Sequence, residues 1–156
     1  MPRQRASERT VLLTGFEPFG GQKVNPSELA ARALDGRVIG RHRVVSRVLP
    51  CVFGEAARAL RGELRALGPS LVICAGEAGG RAEIAVERVA INVDDARMCD
   101  NAGAQPIDRP ITARGPAAYW SSLPIKAIAR ALHAEGCRWP SRRARAPSCA
   151  TTSSTR

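Results

Sequence analysis

VLLTGFEPFGGQKVNPSELAARAL, residues 11–34, sets the frame in which the rest of the chain is read. With Thr10 in front, its opening run TVLLT (10–14) is β-branched and apolar, the composition of a buried strand. Gly15, Pro18, Gly20, Gly21 and Pro26 then mark a loop over 15–26. Asn25-Pro26-Ser27-Glu28 opens a helix. Asn25 suits the N-cap, Pro26 suits the first turn because its missing N–H is not needed there, and Glu28 complements the helix dipole. That helix runs to about Leu34 and stops before Gly36.

The same alternation continues outward. VVSRVLP (44–50) reads as a second strand. Phe53, Ala56, Ala57, Leu60, Leu64 and Leu67 recur at helical spacing over 53–67, and Gly68-Pro69 closes the helix. SLVICAG (70–76) is apolar throughout, which predicts a central strand of a parallel sheet. Gly76, Gly79 and Gly80 make a second Gly-rich loop. EIAVERVAINV (83–93) reads as extended, and 94–115 as polar loop. SSLPIKAIARALHAEG (121–136) predicts a third helix that turns Leu123, Ile125, Ile128 and Leu132 to the core. Strand–helix–strand–helix–strand is the α/β pattern. Both Gly-rich loops follow strands, so they are expected at the same sheet edge, side by side, where α/β folds carry their sites.

The totals narrow the class. A chain of 156 residues with 44% hydrophobic content is one domain with a buried core. Aromatics make up only 4%, so that core is aliphatic. No run approaches the roughly 18–20 apolar residues of a membrane helix. MPRQRASERT has no following apolar segment or cleavage site of a secretory leader, and a cytoplasmic protein is expected. Cys51, Cys74, Cys99, Cys137 and Cys149 form no CxxC, and His42 and His133 lie far from them. Neither a metal site nor a disulfide framework is expected, and free thiols fit a reducing compartment.

The formal charge of +10 divides unevenly. Residues 137–156 carry Arg138, Arg142, Arg143, Arg145 and Arg156 and no acidic residue. Without those five, 19 basic residues face 14 acidic ones, so the body carries +5. No aromatic platform accompanies the arginines, and a nucleic-acid partner is not expected.

The first loop could hold a phosphate or a small flat group. Gly15-x4-Gly20 begins like a Walker A loop, but Gly21 and Gln22 stand where Lys and Ser/Thr belong. Gly76-Glu77-Ala78-Gly79-Gly80 is not a dinucleotide fingerprint, and Glu77 repels a pyrophosphate. Phe16 and Phe19 either cover the core or line a pocket whose backbone groups orient a neutral ligand.

LLTGFEPFGG…NPS, GEAGGRAEIAVERVAINVDDAR, DNAGAQPID and GPAAYWSSLPIKAIARAL, in order over residues 10 to about 136, resemble pyroglutamyl peptidase I, the pyrrolidone-carboxylate peptidase family. The resemblance implies a single-domain α/β three-layer sandwich with a mostly parallel sheet. It implies a cofactor-free cysteine peptidase, often homo-oligomeric, that removes N-terminal pyroglutamate from peptides. Phe16 and Phe19 match the family's pocket phenylalanines and would sandwich the lactam. A charged N-terminus would be rejected there, since its ammonium would be desolvated without a partner. Glu87 matches the Glu of the ERVAIN motif, the carboxylate of a Cys-His-Glu arrangement. Taken alone, Glu87 reads as a surface ion-pair partner of Arg88 or Arg81. Glu77 falls at a pocket position where many relatives carry Gln or Leu, and a carboxylate there would raise the thiol pKa.

The nucleophile motif, like SAGTFVCNHLFY, and the catalytic His lie in the family beyond the position of Gly136. Neither occurs here. Cys149 stands in APSCATT, and His42 and His133 are elsewhere. Shifting the codons of RAPSCATTSSTR (145–156) back by one base permits GTFVCNH-x-FYA. The expectation is therefore a frameshift close to Gly136. It divides the chain into a basic stretch at 1–9, an incomplete α/β domain at 10–136, truncated at its C-terminal end, and an aberrant, disordered tail at 137–156. Such a chain lacks the nucleophile and the His and is inactive.

Overall fold

The computed structural model describes residues 9–138. The basic stretch before Arg9 and the tail from residue 139 on, Cys149 included, lie outside the described residues. The chain forms two compact units, one built from the residues up to Glu77 with Asp100–Ala104, the other from Ala78–Cys99 and the residues from Gln105 on.

The first unit carries β1 (Arg9–Phe16), α1 (Pro26–Leu34), β2 (Val38–Ile39), β3 (His42–Leu49), α2 (Glu55–Leu67) and β4 (Leu71–Cys74). The sheet order is β2-β3-β1-β4. β1 runs parallel to β3, pairing Arg9 with His42 through Phe16 with Leu49, and parallel to β4, pairing Val11 with Leu71 through Thr14 with Cys74. β2 is a short antiparallel hairpin strand on β3. It had no clear sequence signal, being two residues beside Gly40, which turns with φ 63°.

Alternation along β1 builds three layers. Leu12, fully buried, packs with Leu49, Ala56 and Leu60 under α2, while Leu13 packs with Ala31 and Val44 under α1. Successive side chains of a strand point to opposite faces, so one continuous apolar run fills both cores. Each fully buried leucine contributes about 1.5–3 kcal/mol from burial.

The α1 cap follows the expected chemistry. Asn25 is extended, with φ −115° and ψ 120°, and its Oδ1 accepts from Ser27 N at 2.9 Å. Gly68 closes α2 in the left-handed conformation, its N–H donating to Leu64 O. β1 extends two residues beyond TVLLT, so Gly15 is a buried strand residue and not the start of the loop. The reason is packing: a Cβ on Gly15 would overlap the backbone carbonyl of Ser27 at the start of α1.

β4 is not central. It stands at the end of the strand order among the described residues, with Ile73 37% exposed. An apolar run says that a strand can be covered on both faces, not where it sits in the order.

The second unit is sparser. β5 (Val89–Ile91) pairs antiparallel with β6 (Ala118–Trp120), and α3 spans Ile125–Ala134. Only Val89–Ile91 of the extended 83–93 segment is strand. The polar 94–115 stretch is loop, tied by a bridge between Asp94 and Arg109. α3 forms inside the expected 121–136 but starts only at Ile125, after Pro124, so Leu123 lies before it; it buries none of its residues, and its apolar stripe stays half-exposed. No described helix is long and apolar enough to cross a membrane.

Candidate functional site

The C-terminal ends of β1 and β4 emerge at one sheet edge, and Ala75 N extends the pairing by donating to Thr14 O at 2.8 Å. The residues that directly follow β1 and β4 therefore leave the sheet at the same edge, as expected for a parallel pair.

Phe16 is the last residue of β1. It is half-buried and packs against the Leu12–Leu49–Ala56–Leu60 core, so it does cover that core while keeping part of its ring accessible. Phe19, also half-buried, begins a tight turn in which Gln22 N donates to Phe19 O at 3.1 Å. Gly20 and Gly21 occupy that turn with φ of 61° and 77°. Two consecutive left-handed residues are the requirement of a type I′ turn, and glycine meets it without strain.

Between the two rings the backbone is held from several sides. Phe16 N donates to Ser27 Oγ at 3.0 Å, and Glu17 N donates to Leu49 O at 3.0 Å. Asn25 Nδ2 donates to Glu17 O at 3.1 Å. Glu17 Oε1 accepts from Cys51 N at 3.0 Å and from Asn101 Nδ2 at 2.9 Å, and Asn101 Nδ2 also reaches Pro18 O at 2.9 Å. Asn101 comes from the 100–104 turn, which returns to this unit. Asn101 N donates to Cys51 O at 3.1 Å. Asp100 Oδ2 accepts from Phe53 N at 2.8 Å, and its Oδ1 accepts from Ala102 N and Ala104 N. These backbone N–H groups hold the Asp100 carboxyl below the usual carboxylate range.

Glu77 lies in the loop after β4. Its Oε2 is buried from solvent and has no hydrogen-bond partner among the described residues. Glu87 belongs to the second unit, in the irregular stretch just before β5, and is half-buried. Partial burial pushes its carboxyl above the ordinary value, and the Arg81 charge pulls it part of the way back. The pairing with Arg81 weighed from sequence is thus felt electrostatically without overcoming desolvation.

Glu17, Asp100 and Asn101 were not singled out from sequence. Their signal was present in the FEPFG and DNAGA runs, but nothing in one dimension says that a turn 84 positions away meets Glu17.

The pyroglutamyl peptidase family model matches residues 9–143. The chain belongs to that family. It is 63% identical over 128 residues to the pyrrolidone-carboxylate peptidase of Cupriavidus pinatubonensis, covering 82% of this chain and 59% of that protein. It is 62% identical to that of Chromobacterium violaceum, covering 61% of it. Among solved structures it superposes on pyroglutamyl peptidase I of Bacillus amyloliquefaciens with a TM-score of 0.81 at 47% identity, over 85% of this chain and 65% of that one. The pyrrolidone carboxyl peptidase of Pyrococcus furiosus matches equally well, with a TM-score of 0.81 at 48% identity over 83% of this chain and 62% of that one. The chain thus spans about three-fifths of the length of the curated relatives it matches.

Proposed function

We propose that this chain carries the lactam-holding part of a pyroglutamyl peptidase, and that as written it binds N-terminal pyroglutamyl groups without cleaving them. The observation that carries the reading is the loop after β1: two half-buried residues, Phe16 and Phe19, flank a segment whose backbone and Glu17 side chain take part in five hydrogen bonds, with Phe16 packed on the α2 core. A flat, neutral five-membered lactam is the kind of ligand such a pair of rings would sandwich, with main-chain groups to read its N–H and C=O. Glu77 lines the same sheet edge. Glu87 is the carboxylate that orients a catalytic imidazole in the complete enzyme, with a cysteine thiolate as nucleophile.

The nucleophile and the histidine are lost through a one-base shift close to Gly136. The shifted reading of 145–156 permits the family's cysteine motif. The substrates of the restored protein are peptides with N-terminal pyroglutamate, acted on in a reducing cytoplasm that suits its free thiols.

The test is the release of aminomethylcoumarin from pyroglutamyl-aminomethylcoumarin by two chains. The 156-residue chain is expected to show no turnover. The chain with one base restored near codon 136 is expected to turn over, to be inactivated by thiol reagents, and to lose at least about a hundredfold in kcat with Glu87→Gln, since an unoriented imidazole is a poor base. Turnover by the 156-residue chain, or none by the restored one, refutes the reading.

A further inference from the structure

We infer that Glu17, docked by Asn101 and the Cys51 amide, is the positioning residue of the Phe16/Phe19 loop and sets its affinity for a pyroglutamyl group; this rests on the pocket reading above. Glu17 sits directly after Phe16 and two residues before Phe19. Its half-buried side chain accepts two N–H donors on one oxygen, from Cys51 N and Asn101 Nδ2. Its carbonyl is taken by Asn25 and the next carbonyl, of Pro18, by Asn101. Three segments that are remote in sequence, at 25, 51 and 101, therefore converge on two consecutive residues between the rings.

None of these contacts fills the apolar cores, which are made by Leu12, Leu49, Ala56 and Leu60 on one face and Leu13, Ala31 and Val44 on the other. What they fix is the path of a loop that Gly20 and Gly21 would otherwise leave free. A loop ordered during folding does not lose that freedom again on binding, so the ordering appears as affinity. The donor is itself presented rigidly. Asn101 follows Asp100, whose carboxylate closes its own turn on Ala102 and Ala104 and anchors it to Phe53 N.

The experiment is an NMR titration of the 15N-labelled full chain with L-pyroglutamyl-L-alanine, with amide hydrogen exchange read on the same samples. Glu17→Ala is expected to raise Kd at least tenfold. Glu17→Gln keeps an acceptor oxygen in the same place and is expected to stay within about threefold of the parent. Glu63→Ala, which removes the remote Arg47–Glu63 pair, serves as the stability control and is expected to leave Kd unchanged. Equal Kd for the parent and Glu17→Ala, or equal weakening by Glu17→Ala and Glu63→Ala, overturns the inference. If the parent binds nothing, the pocket reading fails by itself. The positioning role is then judged by exchange at the Cys51 amide, expected to quicken at least tenfold in Glu17→Ala but not in Glu17→Gln or Glu63→Ala, and unchanged exchange in Glu17→Ala refutes it.

Discussion

Replacing Gly15 by alanine adds one methyl group where the backbone of α1 leaves it no room. That Cβ would overlap the carbonyl of Ser27 and crowd Glu28 N, all backbone atoms, so no side chain can rotate out of the way. The first turn of α1 must move instead. It carries the Asn25 cap on Ser27 and the bond from Phe16 N to Ser27 Oγ. Overpacking costs about 1–3 kcal/mol, and a weakened cap about 1 kcal/mol more, so Gly15→Ala is expected to destabilise by about 2–4 kcal/mol. With a urea slope of about 2 kcal/mol per M, the midpoint should fall by roughly 1–2 M in unfolding followed by circular dichroism. Gly62→Ala is the counterpart. Gly62 lies inside α2 with open space where its Cβ would go. The same chemical change there should stabilise by about 0.5–1 kcal/mol. A Gly15→Ala protein within about 0.5 kcal/mol of the parent would refute the close-approach argument.

Asn25 is fully buried, caps α1 and donates to Glu17 O, so Asn25→Ala should cost about 2–3 kcal/mol in the same urea assay. Asp100 has a depressed carboxyl in the folded chain, so its contribution is present above the unfolded carboxylate pKa and is lost as pH falls through the lower folded value. Asp100→Asn should make the acid limb shallower in a plot of urea midpoint against pH, the remainder coming from groups such as Asp35, also depressed, by its bond from Ser46 N. Glu87 behaves with the opposite sign: its carboxyl is raised, the folded state holds the proton longer, and stability falls as pH rises from the unfolded value through the folded one. Glu87→Gln should therefore be more stable than the parent at neutral pH, and its midpoint should decline less than the parent's across that window, where Asp94, also raised by burial, still contributes.

Local chemistry determined a good part of this protein. The strand of residues 10–14, the Asn25-Pro26 helix start, the end of α2 at Gly68 and the third helix all follow from side-chain preferences that act over a few residues, and they stand where those preferences put them. The α/β class follows from their order, and the shared edge at which β1 and β4 end from parallel pairing. The family motifs identified Phe16, Phe19, Glu77 and Glu87 as residues of interest. Tertiary structure decided the remainder. Burial of Gly15 depends on α1 folding back over β1, and the end position of β4 depends on which strands pair, not on how apolar each one is. α3 leaves its apolar stripe half-exposed although its periodicity is correct, because periodicity chooses a face and only a neighbour covers it. The docking of Glu17 by Asn101 joins residues 84 positions apart through directional hydrogen bonds. Such bonds leave no period in the sequence, since their partners are chosen by the path of the folded backbone.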